Sequence, residues 1–237
     1  MLTQISRMNT NTLFIISAIR VHEKKHSEPR RYCFVWLAMT IFFFLFSPFL
    51  LSQTKTFSSI SKYERRWVFF HPFAAIKIKR HQKEMYAVYK EVKDKNLLDV
   101  FENGGKSDAF RHTFAMAYFS KYVATRKLRK LGIAHEKGNY QQFQKNKIDE
   151  GGELPDSLSS VMDLQNNELG FSIAKEVKKL SAEEIKQKVI QLILNGNAVI
   201  IKRNTEGLYV DCDGSIISRQ RIYTRWNIPK CLVKSNS

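Results

Sequence analysis

Cysteine is scarce, with three in 237 residues. None stands in a CxxC spacing, which excludes a thiolate zinc site of the finger or ribbon kind. Cys33 lies within an apolar run, so only Cys212 and Cys231 can form a disulfide, given export of the body of the chain and suitable geometry. Acidic residues are short as well: 22 Asp and Glu stand against 39 Lys and Arg, for a formal charge of +17. Beyond Leu51 lie 33 of the basic and 20 of the acidic residues, leaving +13 there, so the basicity belongs to the folded body. Such a balance suits anionic partners, an anionic lipid surface or a cell-wall polymer. Nucleic acid is disfavoured, because no aromatic-basic RNA motif, zinc finger or helix-turn-helix pattern is present.

One stretch lacks charged residues altogether. Cys33 to Leu51, CFVWLAMTIFFFLFSPFLL, runs for 19 residues, bounded by Arg30-Arg31 and by Ser52-Gln53-Thr54-Lys55. About 20 apolar residues span a bilayer as a helix, so the run reads as a transmembrane anchor; a signal-peptide core with cleavage near Ser52 reads equally well. Both place the chain in the membrane or export it to the periplasm or cell envelope. Arg20, Lys24, Lys25, Arg30 and Arg31 precede the run and Lys55, Lys62, Arg65 and Arg66 follow it, so the positive-inside bias is slight. The expected organisation is a polar basic segment over 1–32, the anchor or signal core over 33–51, a juxtamembrane linker over 52–80, and one helical domain over 81–237. Within the linker, Trp67-Val68-Phe69-Phe70 before His71-Pro72 reads as an interfacial aromatic patch or a buried anchor.

The stretch Asn103 to Ser120, NGGKSDAFRHTFAMAYFS, carries the chemistry. Asn103-Gly104-Gly105 breaks what precedes it, and Ser107 or Asp108 can cap a helix. At 3.6 residues per turn Asp108, Arg111 and His112 then share one stripe. Burying a carboxylate, a guanidinium and an imidazole together is unfavourable unless they pair, hydrogen-bond or hold a metal.

Elsewhere, Met85, Val88, Val92, Leu97, Leu98 and Phe101 predict a helix over about 81–101. Another follows the basic run Arg126 to Lys130 and stops at Gly138-Asn139, which puts His135 and Glu136 in its last turn, about 100° apart, so that one of them faces a site. Residues 137–158 read as a loop. A helix from Leu158 to Leu180 lines up Asp163, Asn166, Asn167 and Gly170, a stripe suited to a close helix crossing with inward polar groups. Ser181-x-x-Glu184 is a capping box opening a helix to Leu194, with Gly196 as its stop. Ala198 to Lys202 and Leu208 to Val210 read as strands, and Asp213-Gly214 as a hairpin turn. The fold class is mainly α, a helical bundle-like domain with a small C-terminal antiparallel β element, preceded by one N-terminal transmembrane or signal helix.

Taken together, NGGKSDAFRH, AHE and MDLQNNELG resemble an uncharacterised family of bacterial domains with the motifs DAFRHA, HE and MDL-x-NN-x-x-G, which also occurs in secreted and toxin-like proteins. The resemblance covers about Phe101 to Ala174. It implies a shared site at Asn103, Asp108, Arg111, His112, His135, Glu136, Asp163, Asn166, Asn167 and Gly170, with Thr113 where the family has alanine. It implies no particular reaction.

The residues themselves support two readings. Asp108 with His112, and Asp163 with Asn167, are i, i+4 pairs of hard or borderline ligands, and His135 or Glu136 completes a set for a divalent metal. Such a site activates water, with Arg111 holding an anionic group and His112, His135 and Glu136 as further catalytic candidates: a metal-dependent hydrolase acting on an anionic envelope substrate. Asn103, Asn166 and Gly170 complete the patch. The competing reading is a non-catalytic envelope protein in which the same residues form a polar network that fixes helix register.

Overall fold

The computed structural model describes residues 60–146 and 153–237. The basic segment 1–32, the apolar run 33–51, the start of the linker and the middle of the 137–158 stretch lie outside the described residues. Within them the domain is mainly helical, with seven α-helices and one two-stranded antiparallel sheet. No helix among them is long and apolar enough to cross a membrane.

The helical body begins earlier than its sequence pattern implies. Helix α1, Lys62–Phe70, opens at a capping box in which Ser61 Oγ accepts from Glu64 N at 3.2 Å while Glu64 Oε2 accepts from Ser61 N at 2.9 Å. It buries Glu64, Trp67 and Val68. Pro72 then opens α2, Pro72–Asp94, at a position where its missing N–H is not needed. Residues 62–80, expected as part of a linker, are therefore helical on both sides of His71, and Ala74, Ala75 and Ile78 join the core. The expected helix over 81–101 is the later part of α2, and Leu97, Leu98 and Phe101 lie beyond its end.

Helix α3, Lys106–Phe119, packs against α2, against α5 (Ser157–Ser172) and against α6 (Ala182–Leu194). Phe110, Phe114 and Tyr118 stack along its buried side with centroids 5.1 and 5.8 Å apart. Helix α4, Thr125–Gln144, does not stop at Gly138 as expected. A Cβ on Gly138 would sit 2.8 Å from the Ser61 side chain, so this glycine serves the close approach of α1 rather than a helix end. Asp156 caps α5, its Oδ1 accepting from Leu158 N and Ser159 N at 2.9 and 3.0 Å. Helix α5 ends at Ser172, short of Leu180, and a 3₁₀ turn over Glu176–Lys179 leads to α6, which opens at the expected Ser181–Glu184 capping box.

Strand β1, Val199–Ile201, falls inside its expected range, but its partner is the chain's tail. Strand β2, Leu232–Lys234, pairs with it antiparallel, Ile200 opposite Val233. Residues expected as the partner strand make only the single bridges Arg203 to Tyr209 and Val210 to Ile216. Cys212 and Cys231 form a disulfide, Cα atoms 4.9 Å apart, that ties this meander to the tail. A six-residue helix α7, Arg219–Thr224, lies between.

Candidate metal centre

The start of α3 is set from outside the helix. Neither Ser107 nor Asp108 caps it, contrary to the sequence expectation; the Asp99 carboxylate accepts from Lys106 N at 2.6 Å and from Ser107 N at 3.0 Å. Asp99 thus meets the positive end of the helix and leaves Asp108 for another role. Asp108 Oδ2 accepts from Gly104 N at 2.8 Å, which fixes the carboxylate, and Oδ1 accepts from Arg111 Nη2 at 2.7 Å. The same Nη2 lies 3.2 Å from His112 Nε2. Three consecutive positions of the helical stripe are thereby gathered on one spot, as their spacing requires.

Helix α5 brings the second half. A Cβ on Gly170 would collide with the carbonyl oxygen of Thr113 and stand 3.0 Å from Ala117 N, so only glycine permits this approach of backbone to backbone. Thr113 Oγ1 donates to the Asn166 carbonyl at 3.1 Å and locks the crossing. At that separation Asp163 Oδ1 comes within 3.2 Å of His112 Nε2, which is 3.5 Å from Asp108 Oδ1. Asp108, His112 and Asp163 offer one ligand atom each, all within 4.8 Å of one another, and the three residues are 4%, 8% and 6% exposed.

The charges in this cluster do not balance through hydrogen bonds. Burial, together with the Arg111 guanidinium, holds the His112 imidazole down to a pKa of about 3 against the pull of Asp108. His112 is therefore neutral at ordinary pH, and its contact with Asp163 is no ion pair. Burial, reinforced by the negative charges of Asp108 and Glu136, pushes the Asp163 carboxyl well above the usual carboxylate range. Asp163 Oδ1, Asn167 Oδ1 and Glu136 Oε1 are all buried without a hydrogen bond. Asn167 stands beside His112, and Glu136 beside Ser160, each neighbour able to donate to the oxygen in question, whereas Asp163 Oδ1 faces the lone-pair side of His112. Buried acceptors in proteins nearly always have a donor, so Asp163 Oδ1 asks for an explanation.

Asn166 is explained without any ligand: its Nδ2 donates to Val199 O at 2.9 Å and its Oδ1 accepts from Val199 N at 3.0 Å, so it acts as an extra strand edge for β1. Asn103 is held through its carbonyl, which accepts from Arg203 Nη2 at 2.9 Å. His135, expected among the ligands, stands outside the three-residue cluster, with Nδ1 3.1 Å from Glu64 Oε1. Burial lowers its pKa, but the Glu64 carboxylate outweighs this and the net shift is upward. Glu136, on the next position of α4, is buried, accepts from Asn139 Nδ2 at 2.9 Å, and is pushed up by burial against the pull of His135. Both residues thus belong to the neighbourhood, and α4 runs on past them instead of ending there.

Glu64 is the site residue that sequence reasoning missed. Ser61-x-x-Glu64 ahead of an apolar run is a capping-box signature, so the cap was readable; its second partner, 71 positions away, was not.

The chain belongs to the DUF6973 family, a domain of unknown function, whose family model covers residues 65–197 and so contains Asp108, His112, His135 and Asp163, with Glu64 just outside it. No curated protein and no solved structure matches it.

Proposed function

We propose that Asp108, His112 and Asp163 bind one divalent metal ion and that the domain is a hydrolase for an anionic substrate of the membrane or cell envelope. The observation that carries this reading is the unpartnered Asp163 Oδ1, buried beside an imidazole that is neutral at ordinary pH. Two carboxylates and an imidazole suit zinc, manganese or iron. Ligand bonds of roughly 2.0 to 2.2 Å separate neighbouring ligand atoms by about 3.0 to 3.5 Å. The 3.2 and 3.5 Å separations around His112 Nε2 fit that range, and the two carboxylate oxygens, within 4.8 Å of one another, would draw together around an ion.

Bound there, a divalent ion supplies Lewis acidity and a water of lowered pKa. The chain's residues do the rest. Asp108 is preset by Gly104 N and ready to ligate, and neutral His112 presents a lone pair. Arg111, whose side chain is 24% exposed, is the cation nearest the ligands and can turn outward to clamp a phosphate or carboxylate of the substrate. Glu136, whose carboxyl burial raises above its usual range, would take a proton from water and return it to the leaving group. Glu64 hydrogen-bonds His135 and favours its protonated form beside Glu136.

Location at the envelope is supported by the apolar run 33–51 and by the Cys212–Cys231 disulfide, a bond that persists in oxidising compartments. The test is a hydrolysis screen of the full chain over phosphodiester, phospholipid and peptidoglycan-type substrates, with manganese or zinc and with chelator. Activity should require the metal and vanish in His112→Ala, and Arg111→Lys should act mainly through KM. Activity undiminished by chelator and by His112→Ala would overturn the metal reading.

A further inference from the structure

The corner between α1 and α2 exposes more aromatic surface than any other place among the described residues. Phe69, Phe70 and Phe73 are 74%, 61% and 79% exposed, and Ile76, 40% exposed, follows Phe73 on the same face of α2. The Phe69 and Phe70 rings meet edge to face at 5.2 Å and form a single projecting knob. A contiguous apolar surface of this kind marks an interaction site rather than an idle exterior.

The knob has a basic fringe. Arg66 lies 5.8 Å over the Phe70 ring. Trp67 Nε1 donates to Lys127 O at 2.9 Å, which pins the start of α4 beside the corner and brings the exposed Arg126, Lys127 and Lys130 close enough for His71 to feel all three charges. Lys77, also exposed, stands one turn beyond Phe73. From Arg65 to Arg80, and again from Ser120 to His135, the chain contains no Asp or Glu, so nothing on these segments offsets the charge.

We infer that this corner docks on an anionic phospholipid bilayer, with the three phenylalanines in the interfacial layer and the basic fringe on headgroup phosphates. Aromatic rings flanked by cations and free of acids match that surface in both its apolar and its charged part. The position along the chain agrees: the run 33–51 ends nine residues before Ile60, a tether of about 30 Å at full extension, so an anchor there would hold the corner within reach of the bilayer. The inference uses no residue of the metal cluster and stands or falls separately from it. If both hold, the six-residue rise from Glu64 to Phe70 along α1, about 9 Å, separates the bilayer contact from Glu64 at the edge of the centre.

The test uses the full chain reconstituted in phosphatidylcholine vesicles with or without phosphatidylglycerol, carrying p-benzoylphenylalanine at Phe73 or, as control, at Val100. Val100 is 71% exposed and lies past the far end of α2, a helix about 34 Å long. On irradiation, position 73 should form lipid adducts in the anionic vesicles and position 100 should not. Omitting phosphatidylglycerol, or introducing Lys127→Glu with Lys130→Glu, should reduce those adducts by about tenfold or more. Equal lipid adducts from both positions, no dependence on phosphatidylglycerol, or adducts to residues 1–59 or to a second copy instead of lipid would each overturn the proposal. The lipid comparison needs no charge variant, so a folding defect in that variant cannot obscure the result.

Discussion

Helix α5 carries two buried charged groups that differ in one respect. At its head, Asp156 and Lys230 have side chains 1% exposed and pair at 2.7 Å; Asp156 also takes two backbone amides and the Ser159 hydroxyl, and Lys230 lies 3.8 Å over the Tyr209 ring. Every acceptor there has its donor. Two turns further on, Asp163 is buried almost as deeply, yet its Oδ1 has none. Burial alone therefore does not mark a site. The first cluster is complete within the chain and reads as structure, whereas the second leaves Asp163 Oδ1 without a hydrogen bond, the gap that the proposed metal would fill.

The comparison can be broken most forcefully at the satisfied end. Removing one partner of a fully buried pair strands the other charge, so Lys230→Met should lose about 3 to 5 kcal/mol in a denaturant titration. Asp163→Asn, by contrast, should leave the metal-free protein as stable as the parent or more so, because it removes a carboxyl that burial and two neighbouring negative charges already disfavour. A large loss in both variants would erase the distinction.

Next in size is the crossing itself. Gly170→Ala should cost about 1 to 3 kcal/mol by forcing α5 away from the Thr113 carbonyl, and should weaken metal binding along with stability. Unchanged metal binding at reduced stability would mean that the crossing does not set the cluster.

The Glu64–His135 pair gives a pH signature. Burial would raise the Glu64 carboxyl, but its hydrogen bond and attraction to His135 win, so its pKa falls below 4.5 and its contribution is present above that pH and lost as the pH drops through the folded value. His135 is shifted above 6.5, so its contribution is whole below 6.5 and fades as the pH rises through its folded value. The pair therefore stabilises most between pH 4.5 and 6.5, and the stability lost in His135→Gln should be largest there. On either side it should shrink by at most about 1.4 kcal/mol per pH unit. A loss that does not vary with pH would show that the two groups are not paired in solution.

The smallest effect on stability is expected at the centre of the site. His112→Ala should shift melting of the metal-free protein by only a few degrees, worth about 1 kcal/mol or less, while abolishing hydrolysis. Strong destabilisation in a parent inert on every substrate would favour a structural network.

Much of this was readable in the residues. The i, i+3 and i, i+4 spacing of Asp108, Arg111 and His112 placed them on one spot, and the small-polar stripe ending at Gly170 called for a close crossing; both are found. Helix ends were less legible, because their causes are tertiary. Gly138 has the look of a stop but makes room for α1, and Asp99, outside the helix, caps α3 in place of Ser107. The tail strand could not be paired with β1 from local pattern, since its position depends on a disulfide and a ladder formed across the whole domain. Glu64 was hidden for the same reason: one oxygen serves a local cap and the other a histidine on α4.

The central claim is that Asp163 and His112 are short of a cation. Metal analysis of the purified full chain, with thermal melts in chelator and after adding zinc, manganese, magnesium or calcium, tests it directly. One ion per chain should be found, removable by chelator and absent from Asp163→Asn. Restoring the ion at 100 times its Kd should stabilise the protein by about 2.7 kcal/mol. No bound metal, and no shift in melting with any of the four ions, would contradict the account and leave the cluster as a polar network.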